Sequence, residues 1–160
     1  HLGDICDSLN PQPLDEAVRI LAEHHVLCVL GNNEDAILAD GKDVSLHARD
    51  FLASLPYTRT IDAFGFTHSQ PGDCPVATRR PIEEYLAGMP AMPYRILFRG
   101  HSHSPGLFEV DAAGVRAIDF SSSHLDLDRE KTYVITIGSV QNHTCALFEA
   151  HAYTIAFLDL

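Results

Sequence analysis

Two short apolar runs, Val26–Leu30 and Tyr94–Arg99, stop abruptly at Gly31 and Gly100, and polar residues follow each glycine at once. A continuous apolar run of this length is the pattern of a strand buried on both faces, as in the sheet of an α/β protein. The stretches between fit that reading. Residues 14–25, LDEAVRILAEHH, place Leu14, Ala17, Val18 and Leu21 on one helical face; residues 45–55, SLHARDFLASL, form a second helix that Pro56 stops. Residues 58–67 read as a strand that bends at Gly65 and runs into His68. A loop carrying Pro71, Gly72, Pro75 and Pro81 then leads to a short helix near 82–87. Beyond residue 100 the character changes. Strands are predicted at 106–110, 115–120, 132–137, 144–149 and 152–158, separated by turns such as Asp111–Gly114. The expectation is an α/β core packed with a second, strand-rich sheet. No repeat, low-complexity stretch or linker divides residues 1–160, so a single domain is expected.

Composition narrows the function classes. The formal charge of −11 opposes non-specific nucleic-acid binding, which requires a basic surface, and suits carboxylates that share bound cations. No apolar run approaches the ~20 residues of a membrane-spanning helix, and no signal-peptide pattern is visible, so no membrane partner is expected. The chain opens at HLGDICD without an initiator Met and is read as N-terminally incomplete. Cys6, Cys28, Cys74 and Cys145 show no paired spacing and read as free thiols of a cytoplasmic protein. Ten histidines stand against two lysines. Histidine is the commonest metal ligand, so their placement matters most.

The polar residues of interest share one position, just after an apolar strand, where open α/β sheets gather their binding loops. Asp4 follows Leu2–Gly3; Asn32, Asn33 and Glu34 follow Gly31; His68 follows Phe64–Thr67; His101 and His103 follow Gly100. Carboxylate, carboxamide and imidazole donors without a thiolate suit Mn²⁺, Fe or Zn²⁺. Taken singly, each block has a plain structural explanation, an Asx turn for Asn-Asn-Glu or a packed imidazole for His68.

The order of the blocks adds to this. GD (3–4), GNNE (31–34), the lone His68 and GHSH (100–103) resemble the calcineurin-like metallophosphoesterase family, whose blocks run D-x-H, G-D, G-N-H-[DE], H and G-H-x-H. GDICDSLNPQP, ITIGSVQNH and AHAYTIAFLDL are similar to its flanking text, so the likeness runs over essentially the whole chain. The resemblance implies two facing mixed β-sheets flanked by helices, an α/β/β/α sandwich lacking its first strand. It implies that Asp4 bridges two metals, that Asn32, His68 and His101 complete one site, and that His103 belongs to the other. It places Asn33 and His101 in the catalytic machinery. The cofactors implied are divalent ions, manganese first, with Fe, Zn²⁺ and Ni²⁺ as alternatives. The reaction implied is hydrolysis of a small phosphorylated substrate by a metal-bound hydroxide.

Two blocks depart from the family. Asn33 stands where the family has a histidine, and asparagine cannot act as a general acid, which points to the phosphodiesterase-type branch. No D-x-H precedes Asp4, and neither Asp73, Asp126 nor Asp128 has a histidine two residues on. One metal site is therefore expected to be weaker than the other. The expected function is a metal-dependent hydrolase acting on phosphodiesters. Its rivals are a catalytically degenerate interaction scaffold, for which the retromer subunit of this fold is the precedent, and a metal-binding domain without turnover. His24 and His25 close a helix, where cations suit its dipole. His47 and His151 read as surface or packing residues, His124 and His143 as loop residues near the strand ends, Arg79 and Arg80 as loop charges within reach of a phosphate, and Ser139 as a turn residue or a hydroxyl and N–H donor near the site. Oligomeric state is left open.

Overall fold

A computed structural model describes residues 1–41, 44–69, 92–119 and 124–160. The proline-containing loop, the helix expected near 82–87, Cys74, Arg79 and Arg80 lie outside the described residues. The described residues form three α-helices and nine strands: α1 Leu14–Glu23, α2 Asn32–Asp40, α3 Leu46–Ala53, β1 Thr58–Ile61, β2 Phe64–Thr67, β3 Ile96–Arg99, β4 Pro105–Asp111, β5 Gly114–Ile118, β6 His124–Asp126, β7 Thr132–Ile137, β8 Thr144–Glu149 and β9 Thr154–Asp159. The strands form a six-stranded sheet in the order β1-β2-β3-β7-β4-β5 and a three-stranded sheet β6-β9-β8. The chain divides into two compact units. The first takes His1–Arg59 and the stretch beginning at Phe66; the second takes Thr60–Gly65 and the described residues from 92 onward.

The first unit is built around its helices. Leu14 and Val18 of α1 are fully buried, as the helical spacing predicts, and pack with Ile37, Ala48, Leu52 and Cys6. Ser45 caps α3 by accepting from Ala48 N at 3.1 Å, and its hydroxyl donates to Asp15 of α1, which ties the two helices together. Helix α2 was not expected from the sequence, where Asn32–Glu34 reads as a turn. Gly31 caps it, Glu34 in its first turn reaches back to the Gly31 N–H, and Gly41 ends it in the left-handed conformation. The predicted strand at 26–30 is extended but carries no ladder. The run bonds on both sides of His1, with His1 N donating to Leu27 O at 2.8 Å and Val29 N to His1 O at 3.1 Å, and Leu30 N donates to Pro56 O at 2.9 Å.

Most of the six-stranded sheet and all of the three-stranded sheet lie in the second unit, where aromatic side chains pack between them. Phe98 of β3 and Phe64 of β2 each place their ring centroid 5.2 Å from that of Phe148 of β8, and Tyr153 closes the cluster at 5.7 Å from Phe148. On the opposite face of the larger sheet, Leu97 and Val134 are fully buried beneath Phe108, Val110 and Tyr94. β3 runs parallel to β7, pairing Arg99 with Thr136, and β4 runs antiparallel to β7, pairing Pro105 with Ile137. The bend expected at Gly65 lies instead at Asp62–Ala63, with Asp62 at φ +52°. Gly65 sits inside β2, where a Cβ would meet the Tyr94 ring at 2.7 Å, so close approach accounts for that glycine. Strand β6 was also not expected; three residues, His124–Asp126, are held by pairing with β9. Among the described residues no helix is long and apolar enough to cross a membrane.

Burial pushes the Cys6 thiol up to about 11, with the charges of Glu34, Asp7 and Asp4 adding to it. Cys28 is buried and raised too, whereas Cys145 is half-buried on β8. At pH 8 the native protein should therefore lose Cys145 to iodoacetamide well before Cys6 or Cys28, read by peptide mass spectrometry; equal rates would contradict the packing. Phe98→Ala removes a ring that is 4 % exposed and should cost about 3–5 kcal/mol in a denaturant melt. Leu9→Ala, at 86 % exposure, should change stability by about 0.5 kcal/mol or less.

Candidate metal centre

The first unit brings Asp4, Asn32 and His68 together. Gly3 and Gly31 make this approach possible. Gly3 has φ +80°, and a Cβ there would lie 2.7 Å from the Gly31 backbone and 2.8 Å from His68 Nδ1. A Cβ on Gly31 would lie 2.3 Å from Asp4 N and 2.5 Å from Asp4 Oδ1. Asp4 itself is left-handed, at φ +54°. Its Oδ1 accepts the backbone N–H of Asn33 at 3.0 Å, so the carboxylate serves as an anion at the N-terminus of α2. Its Oδ2 lies 3.4 Å from His68 Nε2.

His68, at the end of β2, is 3 % exposed. All ten histidines are described, and it alone is buried. Its Nδ1 lies 2.7 Å from the Leu2 carbonyl oxygen, which can only accept, so Nδ1 carries a proton. Nε2 then faces Asn32 Oδ1 at 3.0 Å as well as Asp4 Oδ2. Carboxylate oxygen, amide oxygen and imidazole nitrogen thus point at one another. Two conditions balance three such atoms: a proton on Nε2, or a cation shared by all three. A ligating histidine typically donates its other ring N–H to a backbone carbonyl, which is the arrangement His68 has with Leu2. The donor set fits a divalent cation that takes mixed oxygen and nitrogen ligands. The amide counts here, because among the described residues no three His, Cys, Asp or Glu side chains gather closely enough to hold a metal by themselves.

Glu34 does something the sequence reading missed. Read there as one more polar donor after a strand, it is fully buried and accepts from three backbone N–H groups: Asp4 at 2.7 Å, Ile5 at 2.7 Å and Gly31 at 2.9 Å. Burial holds its carboxyl above the ordinary range, and Asp4's charge adds to this, while the three backbone donors pull the other way. Glu34 is a fastener between two loops. A Glu placed three residues after the capping glycine was the available signal. Asn33 contributes its backbone N–H to Asp4.

His101 and His103 stand in the second unit, on the loop that leaves β3. His101 is left-handed at φ +63°, and Ser102 N donates back to Gly100 O at 2.7 Å, so the loop turns tightly. Both imidazoles are partly buried. Of the remaining histidines, His24, His25, His47, His124, His143 and His151 are exposed.

The arrangement of two sheets and three helices is a fold found among solved structures. A metallophosphoesterase from Sphaerobacter thermophilus shares it at a TM-score of 0.79, with 20% identity over 99% of this chain and 75% of that one. At that identity the likeness speaks for the fold. No protein-family model matches the sequence, and no curated protein matches it.

Glu34→Gln supplies one acceptor oxygen where the carboxylate supplies two, and it turns an amide N–H₂ toward backbone donors. It should cost about 1–3 kcal/mol of stability in a urea melt. A change below about 0.5 kcal/mol, the range of an ordinary surface substitution, would show that these bonds do not fasten the loops.

Proposed function

We propose that this chain is a metal-dependent phosphoesterase acting on small phosphodiesters. The observation that carries the reading is the meeting of Asp4 Oδ2, Asn32 Oδ1 and His68 Nε2, with His68 Nδ1 donating to Leu2 O. Asp4, Asn32 and His68 would hold a divalent ion, with manganese as the first candidate, and His101 and His103 are the further donors that the block order suggests. Such ions neutralise charge on a phosphoryl group and make water more acidic. The protein's part is position. Asp4 is held by the α2 N-terminus, His68 is oriented by the Leu2 carbonyl, and the backing by Glu34 lets neither loop relax. Asn33, beside these donors, offers an amide to a phosphate oxygen and no general acid, which suits diesters whose leaving group departs unassisted. The acidic composition accords with a small substrate rather than a nucleic-acid surface. The buried free thiols Cys6 and Cys28 support a reducing, cytoplasmic setting.

Mn²⁺ at a hundredfold excess over its Kd should stabilise the folded protein by about 2.7 kcal/mol. His68→Ala or Asn32→Ala should remove most of that increment, whatever each does to the metal-free melt. Hydrolysis of bis-p-nitrophenyl phosphate with added Mn²⁺ then separates the hydrolase from its rivals. A Mn²⁺ increment without turnover would favour a metal-binding domain, and no increment at all would favour a scaffold.

A further inference from the structure

We infer, resting on the metal reading above, that Tyr57 is a positioning residue which, with Pro56, sets the spacing between Asn32 at the start of α2 and His68 at the end of β2. All of these residues lie in the first unit. Three hydrogen bonds end on the dipeptide Pro56–Tyr57. Leu30 N donates to Pro56 O at 2.9 Å, Tyr57 Oη donates to Asp35 Oδ1 at 2.9 Å, and Thr67 Oγ1 donates to Tyr57 O at 3.2 Å. Leu30 and Asp35 stand on either side of Asn32 in the chain, and Thr67 immediately precedes His68. The run 26–30, helix α2 and strand β2 are thus tied to two consecutive residues.

Asn32 is the first residue of α2, and Asp35 follows it by three positions, on the same side of the first turn. A tie on the Asp35 side chain therefore limits rotation of that turn, and with it the direction in which Asn32 leaves the backbone. Glu34 fastens the same turn to the loop of Asp4, whereas Tyr57 fastens it to the strand of His68. The bonds are suited to the task. The tyrosine ring is stiff, with two torsions to fix, and a hydroxyl donating to a carboxylate makes a stronger bond than one donating to a neutral acceptor. Thr67 is fully buried, so water does not compete for its hydroxyl. What these bonds hold is the pair that meets at 3.0 Å, Asn32 Oδ1 and His68 Nε2. Donors kept at a set spacing before an ion arrives need less ordering when it binds, which raises affinity.

The test titrates Mn²⁺ calorimetrically into the full chain and into Tyr57→Phe, Asp35→Asn and Asn32→Ala, at a temperature where far-UV circular dichroism shows each folded without metal, alongside metal-free melts. Tyr57→Phe keeps the ring and removes only the hydroxyl. Its Kd should rise about three- to tenfold, less than the roughly 10- to 100-fold typical of partners bonded directly to a ligand. Asp35→Asn keeps an amide oxygen for the Tyr57 hydroxyl and should bind Mn²⁺ within about twofold of the unsubstituted chain. Asn32→Ala should weaken binding at least as much as Tyr57→Phe. If Asn32→Ala weakens binding and Tyr57→Phe does not, whatever its metal-free melt, Tyr57 is a plain structural tie; the inference is overturned and the metal reading stands. An equal loss in Asp35→Asn would assign the effect to the Asp35 charge, which also overturns it. An unchanged Kd in Asn32→Ala removes Asn32 from the ligand set, and the positioning role goes with it. Absence of Mn²⁺ binding by the unsubstituted chain overturns the metal reading and the inference together.

Discussion

The Glu34 carboxylate is the constraint on which the first unit's site depends. A buried carboxylate is costly unless its oxygens are filled, and this one is filled by backbone N–H groups from both sides of a loop junction. Residues 4 and 5 belong to one loop and residue 31 to the other, so one side chain sets the spacing between them. Asp4 then needs no support of its own beyond the α2 N-terminus. Order passes outward from Glu34 to Asp4 and from Asp4 to His68.

The two units solve a similar problem by different means. In each, a residue with a chemically useful side chain is left-handed, Asp4 at φ +54° and His101 at φ +63°, at a cost of about 1–2 kcal/mol apiece. In the first unit a buried acid offsets that cost. In the second, the left-handed residue sits in a tight turn, where Ser102 N donates back to Gly100 O at 2.7 Å. Strain of this sort persists only where the surroundings over-determine it, as the bonds to Glu34 do around Asp4.

Much of this was legible in the sequence, for identifiable reasons. Leu14 and Val18 announce α1 because helical spacing is a local property, and the C-terminal strands alternate in a way that needs no partner to be seen. The block order gathers Asp4, Asn32, His68, His101 and His103 into one cluster; the first unit brings Asp4, Asn32 and His68 together, and His101 and His103 stand in the second unit. What stayed hidden depends on distant chain. Val26–Leu30 looks like a strand, but its backbone bonds go to His1, Leu21 and Pro56 and not to a strand ladder, which the run itself cannot reveal. Helix α2 hides because Asn-Asn-Glu favours a turn until Glu34 folds back onto Gly31. Gly65 reads as a bend because the Tyr94 ring that excludes a side chain there comes 29 residues later.

The contact between Gly3 and Gly31 has a consequence for anyone wishing to redesign this centre. Their backbones lie so close that neither position has room for a methyl group, and the van der Waals surfaces of the two loops already touch. Specificity engineering in most enzymes proceeds by swapping residues along a pocket floor one at a time. Here the floor is peptide, and a codon change at either glycine dislodges the other loop along with the donors it carries. Combinatorial libraries on this scaffold should hold residues 3 and 31 constant and place their diversity on the loops at the rim.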